Sequence, residues 1–106
     1  MNISVSSRAI PIDDEMLEKI DMWVYFSLSR FGPRIDGALI HIAEVIGARG
    51  KSQRLCRLSV RMNQLGSFSI ETIEDEVATA VSRAAERAAK QVQRILERQS
   101  DEKRRP

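Results

Sequence analysis

The stretch Arg54-Leu55-Cys56-Arg57-Leu58-Ser59-Val60-Arg61-Met62 alternates with a period of two. Cys56, Leu58, Val60 and Met62 fall on one face, and Arg57, Ser59 and Arg61 on the other. Successive side chains of a strand point to opposite faces, so this pattern predicts a strand with one side toward a core. Downstream, residues 63–66 carry a turn signal, and residues 67–73 follow with Phe68 and Ile70 sharing a face. Upstream, residues 38–45 are rich in strand formers, and Gly47 and Gly50 mark a flexible turn before the quoted stretch. Three consecutive strands make a meander with one apolar face, which must be covered by another layer.

Two segments can supply that layer. Pro11, Asp13 and Asp14 announce a helix, because either aspartate can cap free N–H groups and both sit well at the positive end of the helix dipole. Leu17, Ile20, Val24, Leu28 and Phe31 recur at steps of three or four, and Gly32-Pro33 stops the run. From Asp75 onward the chain is alanine-rich, with no Gly or Pro before Pro106. Alanine has the highest helix propensity, so residues 76–99 read as one long helix. Its apolar stripe is Val77, Val81, Ala84, Ala88, Val92 and Ile95. The first residues alternate, with Ile3 and Val5 against Asn2, Ser4 and Ser6, and read as a further strand. The expected architecture is α+β: a two-layer β-α-β-β-β-α sandwich, with both helices on one face of a four-stranded sheet. Residues 1–99 are expected to form a single domain and residues 100–106 a frayed basic tail.

The chain has 106 residues, enough for one core. No apolar run approaches the roughly 20 residues of a membrane span, and the start lacks the pattern of a secretory signal. With one cysteine no internal disulfide can form, and the expected location is the cytoplasm. Enzyme chemistry finds little footing. His41 is the single histidine and lies within a strand. Cys56 alternates with core residues and reads as a buried hydrophobe. Gly47-Ala48-Arg49-Gly50-Lys51-Ser52 ends like a phosphate-binding loop, but Val45 stands where the first glycine belongs, and a strand rather than a helix follows. No metal-ligand spacing occurs. A non-enzyme without metal, cofactor or small-molecule substrate is expected.

The charge is near balance at +2, but it is distributed in blocks. Residues 13–21 hold five acids and one base, while residues 47–62 hold Arg49, Lys51, Arg54, Arg57 and Arg61 and no acid. Residues 83–106 hold eight bases against four acids. Within that last block, Arg83, Arg87, Lys90, Arg94 and Arg98 are spaced 4, 3, 4 and 4. On a helix these five fall in a sector of roughly 80°, opposite the apolar stripe. A row of cations on a rigid rod suits a phosphate backbone. On the first helix, Met22, Tyr25 and Phe26 lie off the core stripe and Trp23 on its flank. Such a patch suits a protein interface, including a homodimer, or stacking on unpaired bases.

Several phrases resemble the ribosome hibernation-promoting factors and ribosome-associated inhibitors. They are the opening Ile3-Ser4-Val5-Ser6-Ser7-Arg8-Ala9-Ile10, the helix-ending Phe31-Gly32-Pro33-Arg34-Ile35, and Asp75-Glu76-Val77-Ala78-Thr79-Ala80-Val81 followed by Arg87 and Lys90. The resemblance implies a four-stranded sheet with two parallel helices on one face. It also implies binding to the small ribosomal subunit in the channel of messenger and transfer RNA, where members of the family block translation. By the same resemblance, Arg87, Lys90 and Arg94 match basic positions of the second helix, and Arg8 the basic position after the first strand. Family members usually carry lysines on the first helix, where Val24 and Ser27 stand here. The short C-terminus resembles the short form, without a dimerisation domain. The function expected is a ribosome-associated translation inhibitor that binds small-subunit ribosomal RNA by occupancy, as a monomer or weak homodimer. Arg83, Arg87, Lys90, Arg94 and Arg98 would contact phosphates, extended by Arg8, Arg49, Lys51 and Arg54. The rival expectations are a general duplex-RNA-binding module, and a protein-interaction module using Met22, Trp23, Tyr25 and Phe26.

Overall fold

The alternating segments do become strands. The structure, a computed structural model, describes the backbone of residues 1–104 and the side chains of residues 1–102. β1 spans Asn2–Arg8, β2 Ile35–Ile46, β3 Ser52–Met62 and β4 Gly66–Glu74. They lie side by side in the order β1-β2-β3-β4. β1 pairs with β2 in parallel, and the other two pairings are antiparallel. A parallel pair needs a crossover, which helix α1, Asp14–Leu28, supplies. The register sets Ile40 beside Leu58, Ile42 beside Cys56 and Val60 beside Phe68, all on one face. At the β1–β2 border a Cβ on Gly37 would lie 2.9 Å from the Asn2 carbonyl oxygen, so this approach of two backbones requires glycine.

Both helices cover the same sheet face. α1 packs on β1, while α2, Val77–Arg104, packs on β3 and β4 and against α1. Ile20, Val24 and Leu28 of α1 meet Ile40, Ile42, Cys56, Leu58 and Val60 of the sheet and Val81, Ala84, Ala88 and Val92 of α2 in one buried cluster. The alanines of α2 let its backbone lie close to the sheet, and Thr72 Oγ1, buried at that contact, donates to the Ala80 carbonyl at 2.6 Å. The expected two-layer architecture is the observed one.

The element ends differ from expectation in instructive ways. α1 stops at Leu28 rather than near Phe31, and Ser29–Arg34 winds into a tighter 3-10 turn. Gly32 there has φ 56° and ψ −131°, a conformation for which side chains other than glycine are strained, and Pro33 offers no N–H to prolong the α-helix. The flexible turn expected around Gly47 and Gly50 contains one 3-10 turn, Ala48–Gly50. α2 runs on to Arg104, past the expected end at residue 99, because no breaker interrupts it. Of the segment expected as a tail, residues 105 and 106 lie outside the described residues.

Candidate nucleic-acid interface

Burial of Val81, Ala84, Ala88 and Val92 fixes the rotation of α2 about its axis. The same rotation leaves Arg83, Arg87, Lys90, Arg94 and Arg98 exposed on the outer side. At about 1.5 Å per residue, the row spans roughly 22 Å. Its members are not electrostatically equal. Arg83 Nη1 lies 3.0 Å from Glu74 Oε1 of β4, and Lys90 Nζ lies 3.5 Å from Glu86 Oε1 of its own helix. Arg87, Arg94 and Arg98 make no ion pair among the described residues.

The outlying cations join this row unevenly. Lys51 Nζ is 2.9 Å from Asp75 Oδ2, just ahead of α2, and Gln53 Nε2 donates to Asp75 Oδ1 at 3.2 Å. The hydrogen bonds from Lys51 and Gln53, with the charge of Lys51, hold the Asp75 carboxyl below its usual range. Arg54 Nη1 donates to Ser52 Oγ at 3.0 Å, and Arg49 has no ion pair among the described residues. Arg8 is exposed at the end of β1, the edge strand farthest from β4. It therefore stands apart from the row on α2.

The fold takes Trp23 out of the first-helix patch, while the Tyr25 and Phe26 rings meet edge-to-face with centroids 6.1 Å apart. Met22, Tyr25 and Phe26 are 45%, 50% and 69% exposed, whereas Trp23 is half-buried and packs against the core. Tyr25 lines a hollow with Met1, Ser29, Gly32, Pro33 and Ile35. Phe26 lines a separate cleft between α1 and α2, with Ser27, Arg30, Glu86, Ala89 and Lys90. Of the two positions where the family resemblance places lysines, Val24 is fully buried and Ser27 borders that cleft. Arg30 was not anticipated. Its guanidinium sits 4.7 Å over the Phe31 ring and beside the cleft, and its one sequence signal is the four-residue spacing from Phe26.

Elsewhere the chemistry is sparse. Ser6 Oγ and His41 Nδ1 are 2.8 Å apart on the open sheet face. The neighbouring Arg57 is engaged by Glu71, with Nε donating at 2.8 Å. Cys56 is fully buried, and burial pushes its thiol up to about 12. Among the described residues no group of His, Cys, Asp and Glu has the arrangement of a metal site, and no helix is long and apolar enough to cross a membrane.

No family model matches the sequence, and no curated protein matches it. Solved structures do. The N-terminal domain of Protein Y from Thermus thermophilus superposes with a TM-score of 0.72 at 20% identity, covering 89% of this chain and 98% of that one. A ribosomal subunit interface protein from Coxiella burnetii superposes with a TM-score of 0.66 at 14% identity, covering 89% of this chain and 96% of that one. Over nearly its whole length, the chain has the fold of the N-terminal domain of Protein Y and of the ribosomal subunit interface protein.

Proposed function

We propose that this protein is a member of the ribosome hibernation family, a translation inhibitor that binds small-subunit ribosomal RNA by occupancy and without a chemical step. The observation that carries the reading is the exposed row Arg83, Arg87, Lys90, Arg94 and Arg98, held on one side of α2 by the burial of the opposite side. Arg87, Arg94 and Arg98 are the members ready to pair with phosphate, because no carboxylate engages them among the described residues. The shared fold with a ribosomal subunit interface protein supports the choice of partner. Phosphate contacts position a protein without reading bases, so selectivity would come from the shape of the ribosomal channel. The expected setting is the cytoplasm, where ribosomes are.

The test is equilibrium binding to purified small subunits as salt is raised. R87Q/R94Q removes two charges from the row. R57Q/R61Q removes two from the open sheet face, on the other side of the molecule. A positioned interface weakens in the first variant and holds in the second, although net charge changes equally. Equal binding by both would reject the row as the interface. Competition by a plain RNA duplex as strong as that by subunits would favour the duplex-binding module instead.

A further inference from the structure

We infer that the cleft between α1 and α2 is a binding site for one unpaired nucleotide of an RNA strand, its base stacked on Phe26 and its phosphate held by Arg30 and Lys90. The inference rests on the RNA reading above and adds to it a site that shares only Lys90 with the row of cations.

Phe26 is 69% exposed. Exposed aromatic rings are costly to keep in water, and every base offers a π-face of matching shape and polarity. Phe26 and Tyr25 meet edge-to-face, with ring centroids 6.1 Å apart, but the two rings line different hollows. The company Phe26 keeps in its cleft is cationic. Arg30 and Lys90 border the same cleft, with the Ser27 hydroxyl beside them. Arg30 is steadied by its stacking over Phe31 at 4.7 Å. Glu86 lies 3.5 Å from Lys90, so the two cations and one carboxylate leave a single positive charge, matched to one phosphodiester. The cleft volume, ≈ 300 Å³, is at the lower end of small-molecule sites and suits a single base rather than a duplex. A duplex keeps its bases stacked inside, so only an unpaired strand can fill it.

The test uses fluorescently labelled single-stranded RNA hexamers and the intact protein, read by anisotropy, alongside small-subunit binding. F26L keeps an apolar side chain and removes the π-face. It is expected to weaken hexamer binding roughly thirtyfold, the middle of the range for loss of one stacked base. Y25L, which removes only an edge contact to the Phe26 ring, is expected to weaken it much less than F26L, and R30Q to weaken it with a reduced salt slope. Phe26 and Tyr25 are exposed, and far-ultraviolet dichroism checks that each variant folds. Hexamer binding unaltered by F26L, or lost alike in F26L and Y25L, would overturn the site. So would a change of the protein's own sedimentation in F26L, which would assign Phe26 to protein contact. Subunit binding that depends on Arg87 and Arg94, with no hexamer bound by the wild type, removes the nucleotide site and leaves the ribosome reading intact. Phe26-dependent hexamer binding without subunit binding does the reverse.

Discussion

Cys56 shows how a single side chain reports the register of the whole sheet. It shares a face with Leu58 and Val60, is fully buried, and its thiol is pushed up from 9.0 to about 12 by desolvation. A thiol reagent should therefore react with it only after unfolding; fast labelling of the native protein would mean that the faces of β3 are exchanged. The shift also has a thermodynamic consequence. Above about pH 9 the unfolded chain releases a proton that the folded protein retains. Stability is thus intact below that pH and falls as pH rises toward 12, by up to about 1.4 kcal/mol per unit from this proton. In urea titrations C56A should lose stability less steeply than the wild type across this window, and parallel slopes would contradict the assignment. Thr72 makes a second residue-scale case. Its hydroxyl donates to the Ala80 carbonyl at 2.6 Å in a buried setting, joining β4 to α2. Thr72→Val removes the donor at nearly constant shape, and should cost about 1 kcal/mol with an unchanged urea m-value.

At the scale of elements, α1 begins where a local rule says it should. Asp13 Oδ1 accepts from the Met16 N–H at 2.8 Å, which selects Asp13 over Asp14 as the cap. Asp13→Ala should destabilise the protein by about 1 kcal/mol, whereas Asp14→Ala should cost much less; equal losses in thermal unfolding would show that dipole charge outweighs the cap. The end of α1 was legible only in part. Gly32-Pro33 is an evident stop, but the change to a 3-10 turn after Leu28 depends on where the chain must turn to enter β2. α2 is the reverse case: its start was legible, while its end outran the expected boundary because the chain offers no breaker. Helix ends are decided by a few weak hydrogen bonds, so they shift more readily than helix faces.

Over the whole molecule, the sheet and helices sort charge by side. The outer side of α2 carries the basic row, while Asp14, Glu15, Glu18 and Asp21 of α1 are exposed. Glu15 is partly offset by Lys19 at 3.1 Å. On the RNA reading proposed above, this division bounds the footprint, since acids at the N-terminal half of α1 repel phosphate. If the row releases counterions on binding, the logarithm of affinity for small subunits should fall linearly with the logarithm of salt concentration. R87Q/R94Q should lower that slope by about 2, one for each contact removed. Stability should change by less than about 0.5 kcal/mol per substitution, because both side chains are exposed. An unchanged slope would place the contacts elsewhere on the surface.

The sequence by itself determined which faces are apolar, how many layers the chain forms, and that five cations line one side of the last helix. Each of these follows from a local period, two for strands and 3.6 for helices, that needs no knowledge of neighbours. Only the tertiary structure decided which cations are engaged, because Glu74 meets Arg83 and Asp75 meets Lys51 through packing of β4, α2 and the β2–β3 turn. It also placed Arg8 on the far edge of the sheet from α2, and drew Trp23 toward the core while leaving Tyr25 and Phe26 in edge contact on two different hollows. The meeting of Phe26 and Arg30 with Lys90 joins residues from two helices about 60 positions apart. No periodicity records such a neighbour, because the distance between α1 and α2 is set by the side chains they bury together and not by either helix alone.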